Sequence, residues 1–197
     1  MRSLILLSSL SLFTSACFGQ HFVSFGVKGG VPVTDAFSDH TSNAVDVITH
    51  SFSSSKNYVV GPTIELRLPL GFSVEADALY RPLDLTTDTI VLPRPAVHFS
   101  NNLSSWEFPI LGKYHFLHVP LVSPYIEAGP IFRAVAAEGS YLSNQGFAIG
   151  GGIDIKLMLL RVSPEIRYSH WGQDAARTFL VPPSNINQAE FLIGVSF

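Results

Sequence analysis

Apolar and polar residues alternate one by one along much of this chain, and the last stretch shows the pattern most plainly. Read back from the end, Phe197, Val195, Ile193, Phe191 and Ala189 are apolar, and Ser196, Gly194, Leu192, Glu190 and Gln188 between them are small, polar or mixed. A period of two describes a strand with one oily face. The same pattern recurs upstream over 22–31, 58–68, 72–81, 105–116, 125–133, 147–156 and 160–171. Pro69-Leu70-Gly71, the segment 117–122 and a tight turn near Met158 are short connections. The segments 34–57, 82–103, 134–146 and 172–186 are long, polar or proline-rich, and are expected to be loops.

Eight strands with connections alternating long and short match a transmembrane β-barrel, which has an even strand number, short turns on one side and long loops on the other. The expected fold is therefore all-β: an eight-stranded antiparallel up-and-down transmembrane barrel. Pro62, Pro109, Pro130 and Pro164 stand inside strands, and each removes a ladder donor, so bulges or local unpairing are expected there.

The placement of charge supports the membrane reading. On the face opposite the oily one lie Lys28, Arg67, Arg81, Lys113, Arg133, Lys156 and Arg167. Beside these seven cations are eight acids, Glu65, Glu75, Asp77, Glu107, Glu127, Asp154, Glu165 and Glu190, a sum of -1. The oily face carries none, as expected if it meets lipid, where a midplane Lys or Arg costs ~2–4 kcal/mol. An eight-stranded barrel is filled by its own side chains, so these inner charges are expected to form a packed ion-pair network. Phe72 and Tyr80 lie eight residues apart, roughly 20 Å along the membrane normal at ~3.3 Å rise and ~40° tilt. With Trp106 and Phe116 they are expected to form the aromatic girdles.

Composition sets the remaining bounds. The chain is 47% hydrophobic and 14% charged, yet beyond its start no apolar run is long enough for a spanning helix. Residues 1–19 read as a secretory signal: Arg2, an apolar core from Leu4 to Phe13, then small residues Ser15, Ala16 and Gly19. Cleavage is expected after Gly19, with a cut after Ala16 as the alternative, and 20–197 then form a single barrel domain. Cys17, the only cysteine, leaves with the signal; a lipoprotein attachment there is disfavoured by Thr14. Losing Arg2 moves the formal net charge from -3 to -4, which excludes a basic nucleic-acid surface.

One stretch carries a family resemblance. Trp106-Glu107-Phe108-Pro109-Ile110-Leu111-Gly112-Lys113-Tyr114 resembles the central motif of the small outer-membrane β-barrel "porin family" domain. The similarity continues through Pro124 to Pro130, Gly150 to Asp154, Pro164 to Tyr168 and the terminal Gly194-Val195-Ser196-Phe197. It implies the cell outer membrane and no particular activity. Phe191, Ile193, Val195 and Phe197 look like the signal read by the barrel-assembly machinery. Outer-membrane lipids are the other expected partner, and the long loops would serve an extracellular partner that the residues do not identify.

Two alternatives remain at this level. Ser169-His170-Trp171-Gly172-Gln173 is similar to the His-x-Ser-Asn signature of lipid A deacylases, but Gly172 stands where the nucleophilic serine belongs. Without that hydroxyl the acyl transfer lacks its attacking group, and Ser169 next to His170 would point to the opposite face. His21, His40, His50, His98, His115 and His118 show no metal-ligand spacing. No catalytic residue, metal or cofactor is expected, and no appended peptidoglycan-binding module is expected. The other alternative is a soluble periplasmic ligand-binding barrel with its oily face inward.

Overall fold

The computed structural model describes residues 22–36, 40–44, 47–53, 58–91, 97–117, 119, 121–135, 142–172 and 185–197. Residues 1–21, with Cys17 and the stretch expected to be a secretory signal, lie outside them. The strands are β1 Val23–Pro32, β2 His40–Ala44, β3 Val47–Ser53, β4 Val59–Arg67, β5 Phe72–Asp77 and β6 Leu79–Val91. They continue as β7 Val97–His115, β8 Val122–Val135, β9 Gln145–Leu157, β10 Leu160–Trp171 and β11 Asn187–Ser196.

β5 and β6 form one stave interrupted only at Ala78, so the ring β1, β4, β5/β6, β7, β8, β9, β10, β11 has eight members. It closes because β1 pairs antiparallel with both β4 and β11, placing Val27 between Pro62 and Val195. The terminal Phe197 completes the seam: its N–H donates to the Phe25 carbonyl at 3.0 Å. Closure leaves no free edge through the body of the barrel.

Residue parity divides the wall as the alternation requires. Phe25, Val27, Ile64, Ile126, Ile149, Ile166 and Ile193 are exposed on the outside, and Lys28, Glu65, Glu75, Glu127 and Arg167 are buried inside. Phe191, Val195 and Phe197 point outward with Ile193, whereas Leu192 points inward and is fully buried. The aromatics gather at two heights. Tyr80 packs edge-on against Trp106 at 5.5 Å and lies 6.5 Å from Tyr58, toward the long-loop end. Phe72 lies 4.9 Å from Tyr114 toward the short-turn end, where Phe116 is also exposed just past β7.

Two loop expectations need correction. Most of 82–103 is paired strand: β6 and β7 run on together from Tyr80↔Trp106 to Thr89↔Val97. The segment 34–57 contains the hairpin β2–β3, and β3 pairs along β6 from Val47↔Val91 to Ser53↔Leu85. The Thr-, Ile- and Val-rich run 86–91 favours a pleated strand, and the flanking prolines at 82, 93 and 95 conceal it. Pro82 sits in β6 opposite Ser104 without ending the strand.

The strand prolines leave gaps in the ladder without bulges. Between β7 and β8 the pairing passes from Pro109↔Ile131 to Gly112↔Ala128, omitting the row of Pro130 with an unchanged offset. Between β9 and β10 it passes from Val162↔Ile155 to Glu165↔Gly152 around Pro164. Between β7 and the β5/β6 stave it skips from Ala76↔Ile110 to Leu79↔Glu107, around Pro109. Equal residue numbers on both sides of each gap preserve the register. Pro62 remains in the β1 ladder, and its carbonyl accepts the Ala78 N–H at 3.0 Å.

Candidate functional site: the charged lumen

Inward side chains from all eight staves, β1, β4, β5/β6, β7, β8, β9, β10 and β11, converge into three tiers of charge along the barrel. The middle tier holds Lys28, Lys113 and Arg167 among Glu75, Asp77, Glu127 and Glu165. The Lys28 ammonium donates to Glu75 at 2.5 Å and to Glu165 at 3.0 Å, with Asp77 at 3.3 Å. Lys113 donates to the other Glu75 oxygen at 2.6 Å and lies 3.5 Å from Glu127. Arg167, fully buried, donates to Glu165 at 2.7 Å, Asp77 at 3.0 Å and Glu127 at 3.1 Å. Tyr125 completes this tier: its hydroxyl donates to Glu165 at 2.7 Å, and Lys113 stands over its ring at 4.3 Å. Charges removed from water this completely require such partners.

Toward the long loops, Arg133 donates to Glu107 at 2.9 Å, and Arg81 lies 3.6 Å from the same carboxylate. The Gln188 carbonyl oxygen accepts from both guanidiniums, at 2.8 Å from Arg81 and 3.1 Å from Arg133. Arg133 also stacks on the buried Trp171 ring at 3.6 Å. Glu190 belongs here and reaches the middle tier through Arg167, at 3.9 Å. Glu107 is thus in a different tier from Lys113 and Glu165, with which the sequence reading grouped it.

At the short-turn end Arg161 pairs with Glu65 and donates to Asp154 at 3.0 Å. Ser163 donates to the other Asp154 oxygen at 2.7 Å, and a His115 ring nitrogen lies 3.1 Å from this carboxylate. Arg161 was absent from the inner charges read from the sequence. Among the described residues the buried cations are then Lys28, Arg81, Lys113, Arg133, Arg161 and Arg167, six against eight buried acids, because Lys156, read as inward from the sequence, is exposed near the end of β9. Arg67 is the opposite case: its side chain is 38% exposed, and its nearest carboxylate, Glu65, is 4.0 Å away. As the last residue of β4 it reaches the mouth, outside the packed network.

Charge does not fill the whole interior. Leu111, Ile131, Ala148 and Trp171 form one buried apolar cluster, and Val59, Leu79 and Leu192 another. Alternation marks these positions as inward without revealing that they pack as apolar layers. A third cluster joins Ala36, just past β1, to Leu83.

Glu75, Glu127 and Glu165 bring carboxylate oxygens within 4.8 Å of one another, a spacing compatible with a cation. Lys28, Lys113 and Arg167 already supply positive charge to all three. At the deacylase-like stretch, Ser169 is buried in the lumen and His170 points outside. The Asn187 amide oxygen lies 2.8 Å from His170 Nδ1 and accepts the Tyr168 hydroxyl at 2.7 Å. The histidine and the neighbouring serine therefore stand on opposite sides of the wall.

No family model and no curated protein sequence matches the chain. Solved structures do. The outer membrane protein OprG from Pseudomonas aeruginosa superposes with a TM-score of 0.55 at 13% identity, covering 89% of this chain and 93% of that one. The outer membrane protein AlkL, determined in lipid bilayers, gives 0.50 at 14% identity over 89% of this chain and 88% of its own. Neisserial surface protein A gives 0.49 at 15% identity, with 89% and 95% covered. At identities this low OprG and AlkL speak for the fold alone, and with the closed ring and outward apolar parity they agree on one architecture. The chain has the fold of the small eight-stranded outer-membrane β-barrels.

Proposed function

We propose that this protein is a non-enzymatic outer-membrane barrel that works through its long-loop end, its lumen closed by charge pairs. The observation that carries the reading is the middle tier, where fully buried Arg167 bridges carboxylates from β5, β8 and β10 across the barrel. Such a bridge occupies the axis that a solute would need. The surface role draws on the extension of β6 and β7 beyond the upper aromatics. From Tyr80 to Val91 it rises roughly 25–30 Å at ~3.3 Å per residue and ~40° tilt, further than spanning the bilayer requires. The terminal strand, with Phe191, Ile193, Val195 and Phe197 outward, would be the segment the assembly machinery engages.

The test is topological and electrical. An epitope inserted at 92–96 should be labelled on intact cells, and one at Met158 only after the outer membrane is breached. Unboiled protein should migrate differently from boiled protein, and purified protein should show no large, stable conductance in planar bilayers. Labelling at Met158 on intact cells, or a steady wild-type pore, would refute the reading.

A further inference from the structure

The short-turn mouth of the barrel contains a cavity of about 170 Å³ lined by Arg67, Lys156, Arg161, Asp154, Ser73 and His115 among others. Its cations are not equally engaged. Arg161 is held by Glu65 and Asp154. Among the described residues Arg67 has only the loose Glu65 contact at 4.0 Å, and Lys156, exposed near the end of β9, forms no ion pair. The Ser73 hydroxyl on the cavity wall is buried, with no hydrogen-bond partner among the described residues. One loosely held cation, one unpaired cation and a hydroxyl without a partner around one small space make a receptor for an anion.

The surroundings narrow the ligand further. The turns beside the cavity end in Leu70, Met158 and Leu159, exposed by 86%, 107% and 88%, and Leu68 and Phe72 belong to the cavity lining itself. Apolar groups this exposed around a charged opening mark a surface made for a partner that is apolar next to its charge. We infer that the short-turn mouth binds a phosphate-bearing anion through Arg67 and Lys156, with the apolar turns beside it suited to the chains of a phospholipid. Arg67 offers the planar fork that meets phosphate oxygens in pairs, and Lys156 a mobile point charge.

The experiment is titration calorimetry on the folded barrel in a neutral maltoside detergent. Inorganic phosphate is one probe and dihexanoyl-phosphatidylglycerol below its micellar concentration the other. Binding should weaken about tenfold in Lys156→Gln, and further when Arg67→Gln is added, as expected for loss of charge-assisted hydrogen bonds. Both side chains are at least partly solvated, so these variants should keep the boiling-dependent gel shift, and Ser73→Ala provides a third, neutral probe. Lipid binding at least about tenfold tighter than phosphate, with the margin reduced by Leu159→Ser, would identify a lipid headgroup. Equal affinities would identify free phosphate. No binding of either probe, or binding unchanged in the double variant, would overturn the site. Those failures with the gel shift intact would leave the proposed function standing, whereas loss of the wild-type gel shift would count against that function instead.

Discussion

Arg167→Leu is the sharpest test of the filled lumen. The guanidinium is fully buried and lies within 3.1 Å of three carboxylates, Glu165, Asp77 and Glu127, with Glu75 at 3.6 Å. Deleting it leaves Lys28 and Lys113 to compensate Glu75, Asp77, Glu127 and Glu165, two positive charges against four negative. Removing one partner of a buried pair costs ~3–5 kcal/mol, because the remaining charges stay desolvated and unpaired. Ile166→Leu, one residue away on the lipid side, exchanges apolar for apolar and should cost less than about 1.5 kcal/mol. Unfolding in urea from lipid vesicles, followed by tryptophan fluorescence, measures both. Adding Asp77→Asn to Arg167→Leu removes one of the stranded charges, so the pair should couple by about 1–3 kcal/mol in a double-mutant cycle. An Arg167→Leu barrel within about 1 kcal/mol of wild type, or a cycle without coupling, would mean that water serves these carboxylates and the lumen is not packed.

Other substitutions test the wall. Ile64→Arg and Ile153→Arg place a cation on the exposed apolar face and should each cost ~2–4 kcal/mol, reducing yield in the membrane fraction, while polar changes in 38–57 leave it unaltered. Gly152→Val puts a Cβ about 2.6 Å from both the Tyr125 hydroxyl and the Pro164 carbonyl, so ~1–3 kcal/mol should be lost and the urea midpoint should fall. Deleting Phe197 removes both backbone bonds to Phe25 at the seam. The assembled, heat-modifiable fraction in cells should drop, and an undiminished fraction would separate the last residue from assembly.

The staves and the side each residue faces were legible because both follow from a period of two, a property local to each strand. What meets what inside was not. Lys28 and Glu165 are 137 positions apart, and only the order of staves around the ring brings them to 3.0 Å. Arg161 escaped notice because it follows the turn at Met158, where alternation has barely begun, yet it anchors the lower tier. Arg67 shows the reverse, a residue of inward parity whose position at a strand end gives it to solvent. The continuation of β6 and β7 was hidden by reading prolines as loop markers. Pro82 shows that a proline sits within a strand where the ladder does not need its donor.

The same prolines bear on why the interior is charged at all. A buried salt bridge is weak evidence for stability, since a well-packed apolar interior often does as well. Register is another matter. A one-residue slip turns every side chain to the opposite face, and an interior of leucines would lose little by facing lipid. Here a slip of β10 would carry Glu165 and Arg167 into the bilayer, and a slip of β5 would carry Glu75 and Asp77. A lipid-facing Arg alone costs ~2–4 kcal/mol at the midplane. Around Pro109, Pro130 and Pro164 the backbone ladder has gaps, so fewer main-chain bonds oppose sliding at those rows. The middle tier spans that part of the wall, where Glu127 on β8 and Lys113 on β7 meet across their paired positions. Side-chain charge thus specifies the alignment where the backbone specifies it least, and it closes the lumen with the same contacts.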